Sequence, residues 1–279
     1  MWVHLGLFGP RRVSIDEDGK SLPLPAKLIE NEYSLLDLTD FVLIDPVSTG
    51  FSRADDPKDA KLFHGLEEDI QSVGDFIRAY VTKYERGASP TYIAGESYGT
   101  TRAAGLASYL QNKGGVKVSG IVLISAVLDF QTVEYGPGND VPYGLFLPTF
   151  TASAWYHKKL DKAWAGDLAT ALEESQHFAD GPYARALRKG NTLTEDELRS
   201  TAKALAKYSG LSEEYVLSVN LRVKDNPFRS ELLRDSKEVV GRLDTRIKAP
   251  AKGGAKGGKG GGGGGGDRLC PCFPALMGI

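Results

Sequence analysis

Thr91-Tyr92-Ile93-Ala94-Gly95-Glu96-Ser97-Tyr98-Gly99-Thr100 carries the fold assignment of this chain. Its first four residues are a short β-branched and aromatic run, the glycine-flanked centre is a turn, and Thr100 to Gln111 reads as a helix. Downstream, Val118 to Ser125 is a second apolar run of strand length. Upstream, Leu66, Ile70, Val73, Phe76, Ile77, Tyr80, Val81 and Tyr84 recur at intervals of three and four, with Glu67, Glu68 and Asp69 in the first turn, where the helix dipole favours acids. Before that helix, Phe41-Val42-Leu43-Ile44-Asp45, closed by Pro46 and Val47-Ser48-Thr49-Gly50, reads as a buried strand ending in a loop. Strand, helix, strand, helix, strand predicts an α/β fold with a parallel sheet covered by helices.

Beyond about Asp140 the β-rich runs stop and helical periods with capping signals take over. Thr194 and Glu197 form a capping box for Glu195 to Tyr208, Ser212 can cap a helix through Val219, and Gly190 and Gly210 stand where helices should end. These signals divide the chain into a core over residues 1–145, a helical cap or insertion over 146–248, and a Lys/Gly-rich tail over 249–279. The tail cannot offset its ordering entropy and is expected to be disordered. Its two cysteines, Cys270 and Cys272, stand too close together for an unstrained disulfide and receive no structural role.

Composition narrows the function classes. The 279 residues carry 41% hydrophobic and 25% charged side chains, with a formal net charge of -2. That balance offers no basic field for nucleic acid. No apolar run approaches the roughly 18 residues of a membrane span, and no signal peptide is visible at the start. There is no HExxH pattern, Cys/His cluster or phosphate-binding glycine loop, so no metal and no cofactor is indicated.

Gly-x-Ser-x-Gly between a strand and a helix is the pattern of a nucleophile elbow. Gly95 and Gly99 would remove Cβ atoms where strand and helix converge, letting the chain turn sharply and hold Ser97 in a strained conformation. The hydroxyl would then stand at a helix N-terminus, where the N–H of Tyr98 can stabilise an oxyanion when a carbonyl is attacked.

Gly95-Glu96-Ser97-Tyr98-Gly99 resembles the Gly-Glu-Ser-Tyr motif of the serine carboxypeptidases (peptidase family S10), which have the α/β-hydrolase fold. Two further blocks agree in order: Asn31-Glu32-Tyr33-Ser34 followed by Phe41 to Ser52, and His4-Leu5-Gly6 with Phe8-Gly9-Pro10. Later segments, Leu123 to Tyr135, Leu147 to Leu160 and Tyr208 to Arg246, are similar to the family's bacterial branch. The resemblance implies a partial α/β-hydrolase core and a peptide substrate. It makes Ser97 the nucleophile, gives Tyr98 the role of oxyanion donor through its backbone N–H, and has Glu96 bind the substrate's C-terminal carboxylate as a protonated acid. It also implies a secreted, periplasmic or vacuolar setting. Ser48 departs from the pattern, since the family usually has Gly there.

Such a nucleophile needs a base and an orienting acid downstream, in the order Ser, Asp, His. His4 and His64 precede Ser97, while His157 and His177 fall in the helical region, so the triad is expected to be incomplete. Asp129 with His157 is the internal alternative. The family's glycine-rich oxyanion loop is likewise not seen, and the chain reads as an inactive fragment truncated at both ends. An esterase or acyltransferase of the same fold, and a non-catalytic binding module, remain alternatives.

Overall fold

The computed structural model describes residues 4–14, 27–161 and 166–251. The expectations for Cys270, Cys272 and the poly-Gly run lie outside them. The described residues pack as two compact units, one built from residues up to 12 and from 29 to 130, the other from 13 to 28 and from 131 onward.

In the first unit, β1 (Arg11–Val13) pairs with β2 (Leu28–Glu30) at the unit's margin. A 3-10 turn (Pro57–Phe63), capped by the Asp56 side chain, leads into α1 (Leu66–Lys83). Then follow β3 (Thr91–Glu96), α2 (Tyr98–Tyr109, continued by a π-turn over Leu110–Gly114) and β4 (Val118–Ile124). β3 and β4 are parallel, in register from Tyr92 opposite Gly120 to Glu96 opposite Ile124. Parallel neighbours need a crossover, and α2 supplies it.

Val73, Leu106, Leu110 and Val116 form this unit's buried core, with Ile44, Ile70, Ile77, Ile93 and Val118 packed against it. The periodic apolar face of α1 therefore meets α2, and α2 meets the sheet. The other face of the β3–β4 pair is open among the described residues: Tyr92 is 66% and Val122 44% exposed. Parallel sheets ordinarily have both faces covered, so this unit is a partial α/β layer.

One expected strand does not form. Phe41–Asp45 runs without a ladder, with Val42 and Leu43 half exposed and Ile44 alone turned to the core. An apolar run shows that a segment seeks burial, but a strand also needs a neighbouring edge at hydrogen-bonding distance.

The second unit is helical: α3 (Val141–Leu145), α4 (Leu147–Tyr156), α5 (Leu168–Phe178), α6 (Ala184–Lys189), α7 (Glu195–Ser209), α8 (Glu213–Ser218) and α9 (Asp225–Glu231). The capping box is complete, with Glu197 N–H donating to Thr194 Oγ1 at 3.2 Å and Thr194 N–H to Glu197 Oε2 at 3.0 Å. Ser212 caps α8 through Tyr215 N–H at 3.1 Å. Gly190 and Gly210 end α6 and α7 with φ of 53° and 69°. The core is continuous and aromatic at its centre, where Phe150 stacks on Phe228 at 4.1 Å and Phe178 on Tyr183 at 5.7 Å. A short antiparallel pair, β5 (Glu238–Val240) and β6 (Lys248–Pro250), closes the described chain. Ala249, read as the start of the tail, is thus paired opposite Val239. No helix among the described residues is long and apolar enough to cross a membrane.

Candidate active site

The junction of β3 and α2 builds the site. Ser97 lies at φ 55° and ψ -123°, a conformation that L-residues rarely adopt and that costs about 1–3 kcal/mol. Two groups hold it there. Its N–H donates to Ile124 O at 3.0 Å, tying it to the end of β4, and its carbonyl accepts from Thr100 N–H at 2.9 Å and Thr100 Oγ1 at 2.6 Å. Thr100 is itself fully buried and accepts from Val127 N–H at 2.9 Å, while Thr101 Oγ1 donates to Val127 O at 2.5 Å. The loop after β4 is thereby fastened to the first turn of α2.

The two glycines have different reasons. A Cβ at Gly95 would lie 2.0 Å from Gly99 O and 2.9 Å from Thr100 N, so strand and helix touch there and only glycine fits. A Cβ at Gly99 would meet nothing within 4 Å, which corrects the expectation that both glycines relieve a collision. Gly99 meets the strand through its backbone, while the direction of its own Cβ is open.

Ser97 and Glu96 are exposed at the end of β3. Tyr98 is the first residue of α2, a position whose N–H has no intrahelical acceptor, so it is free to serve an anion beside Ser97. Glu96, Ser97 and Tyr98 are thus brought together by the turn itself.

Two residues that the sequence did not single out for the site join them. Asp69 on α1 is buried, 7% exposed, and accepts from Arg102 Nε at 2.7 Å and Nη2 at 3.0 Å. Tyr98 OH donates to the same carboxylate at 3.4 Å, and the Arg102 guanidinium lies 5.2 Å from the centre of the Tyr98 ring. Burial, and next to it the Asp69 charge, push the Tyr98 hydroxyl above the usual phenol range. Asp69 reads in sequence as an N-terminal helix acid. The one signal for its role is that it and Arg102 are charged residues on helix faces that otherwise carry the core.

The other family-like blocks also meet. Asn31, 8% exposed, donates from Nδ2 to Leu7 O at 2.9 Å and Gly9 O at 2.7 Å, and Ser34 Oγ donates to Phe8 O at 2.9 Å. In the following loop Asp45 Oδ2 accepts from Phe51 N–H at 3.0 Å, and Gly50 has φ 47° with the Asp45 carboxylate filling the place of a Cβ. Ser48, where the resemblance calls for Gly, lies at φ 73°.

No histidine bonds to Ser97 among the described residues. His64 Nε2 is 3.1 Å from Ser48 Oγ. His157, the internal alternative to a triad histidine, has Nε2 2.6 Å from Thr245 O, and since a carbonyl only accepts, that nitrogen carries the proton. No group of three or more metal-ligating side chains occurs among the described residues.

The sequence model of the serine carboxypeptidase family, peptidase S10, matches residues 8–231, well over half of the chain. Comparison with curated proteins and with solved structures returns no match.

Proposed function

The chain belongs to the serine carboxypeptidase family, and we propose accordingly that its chemistry is acyl transfer from a peptide's C-terminal residue to Ser97. Ser97 Oγ attacks the carbonyl carbon of the last peptide bond while its proton passes through a base to the leaving amine. The C–N bond breaks, the free C-terminal residue departs, and water releases the acyl group from Ser97. The Tyr98 N–H receives the oxyanion, and Glu96 meets the terminal carboxylate, a pairing of two carboxyls that requires a shared proton. In this reading the first unit is the hydrolase core and the second the cap. The observation that carries it is the φ of 55° at Ser97, a strained conformation at the strand-to-helix junction of an exposed serine.

The same proposal includes a lack. Among the described residues His64 bonds to Ser48 and His157 to Thr245, which supports the reading that Ser97 lacks a base and that turnover of peptide by this chain alone is negligible. The test is hydrolysis of a blocked dipeptide, its C-terminal amide and a simple ester, each with and without imidazole as a substitute base. The expected result is negligible turnover alone. With imidazole, turnover appears that vanishes in Ser97→Ala, prefers the free carboxylate, and loses that preference in Glu96→Ala, which leaves no group to meet the carboxylate. Ester turnover without the carboxylate preference favours an esterase. Ordinary enzymatic rates without imidazole contradict the missing base.

A further inference from the structure

The elbow holds Ser97 through the backbone, but Tyr98 is held by its side chain. Its ring lies against the Arg102 guanidinium, its hydroxyl reaches Asp69, and Asp69 and Arg102 bind each other side-on through two hydrogen bonds. Arg102 stands one helical turn beyond Tyr98 on α2, whereas Asp69 belongs to α1. The arrangement therefore clamps the first residue of α2 between its own helix and the neighbouring one. Asp69 and Arg102 have only 9% and 21% of their side chains exposed, so solvent screens the pair little. A bidentate pair of this kind also fixes direction, because the planar guanidinium and the carboxylate must be coplanar to keep both bonds.

We propose that Asp69 and Arg102 are positioning residues for the nucleophile: by gripping the Tyr98 side chain they aim the free N–H groups at the start of α2 toward position 97. Neither touches substrate. Removing either partner leaves the other buried and unpaired, and the Tyr98 ring loses its seat. The first turn of α2 then drifts relative to Ser97 while the core of Val73, Leu106 and Leu110 stays in place. The catalytic meaning of the inference rests on Ser97 being the nucleophile, but the geometry can be measured without turnover.

The test uses the full chain carrying Ser97→Cys, with Cys270→Ser and Cys272→Ser so that the introduced thiol is the sole one. Iodoacetamide alkylation followed against pH reads how readily that thiol ionises, and well-aimed N–H groups at a helix N-terminus favour the thiolate. Adding Asp69→Asn separates two effects by sign. Loss of a negative charge alone favours the thiolate and speeds alkylation near neutral pH. Loss of aim slows it, by about three- to tenfold if the thiol loses most of the helix-terminus effect. Tyr98→Ala changes no charge and keeps the N–H, so slowing there reads the clamp alone; it also decides the question if Asp69→Asn fails to fold by circular dichroism. Arg78→Gln, which breaks an exposed pair with Asp75 within α1, is the control and leaves the rate unchanged. Slowing in both Asp69→Asn and Tyr98→Ala supports the proposal; an unchanged or faster rate in either folded variant overturns it. If Ser97 proves never to be acylated while the thiol responds as expected, the peptidase reading fails and the clamp stands.

Discussion

Gly95→Ala and Gly99→Ala are the same chemical change four residues apart in one motif, yet the structure assigns them opposite signs. At Gly95 the new methyl would lie 2.0 Å from Gly99 O and 2.3 Å from Gly99 C, both backbone atoms at the start of α2. Reaching a contact of about 3.5 Å requires strand and helix to separate by more than about 1 Å. Overpacking costs about 1–3 kcal/mol where side chains can yield, and backbone cannot, so about 3 kcal/mol is expected. At Gly99 the methyl meets nothing within 4 Å, and alanine in a helix is favoured over glycine by about 0.5–1 kcal/mol. The two variants should therefore differ by about 3–4 kcal/mol, roughly a 150- to 900-fold difference in local opening. Amide hydrogen exchange of peptides spanning β3 and α2, read by mass spectrometry, reports that opening independently of the helical unit. Gly95→Ala within about 0.5 kcal/mol of the wild type, or Gly99→Ala as the more damaging change, would be incompatible with a backbone contact at position 95.

Ser48 lies at φ 73°, where a side chain is disfavoured, so Ser48→Gly should stabilise the first unit by about 0.5–1 kcal/mol in urea unfolding despite losing the exposed contact to His64. Thr194→Ala removes half of a complete capping box and should cost the helical unit about 1 kcal/mol, read as a lower urea midpoint at unchanged slope. Glu197, in the other half of that box, is held below the usual glutamate range, first by Lys189 and then by Thr194 N–H. A carboxylate whose folded pKa lies below its unfolded one contributes above the unfolded value and loses that contribution as pH falls through the folded one. Exchange at the first turn of α7 should accordingly rise in acid below the ordinary glutamate range, and Glu197→Gln should remove that pH dependence; an acid response unchanged in the variant would contradict it.

The elbow and the helices were legible because their signals are local. Strand and helix periods flank Gly95-Glu96-Ser97-Tyr98-Gly99 directly, and Thr194, Ser212, Gly190 and Gly210 mark helix ends by chemistry acting within a single turn. Features that depend on a distant partner leave no such local signal. Phe41–Asp45 has the composition of a strand but finds no ladder, and Gly99 shares a motif with Gly95 without sharing its contact. The Asp69–Arg102 pair spans two helices that the periodicities place without orienting, so its grip on Tyr98 becomes visible only once α1 and α2 are packed. Ser48 shows the reverse case: a departure from the family pattern noticed in sequence turned out to mark a left-handed position.

Ser97 as the chain's built nucleophile is tested most directly by mapping the adduct left by a fluorophosphonate probe after incubation with imidazole. Ser48 is the internal competitor, since it too is exposed and strained and has His64 at 3.1 Å. A single adduct on the peptide containing Ser97, absent in Ser97→Ala, is the expected outcome. An unmodified Ser97, or an adduct on Ser48 instead, would contradict that role.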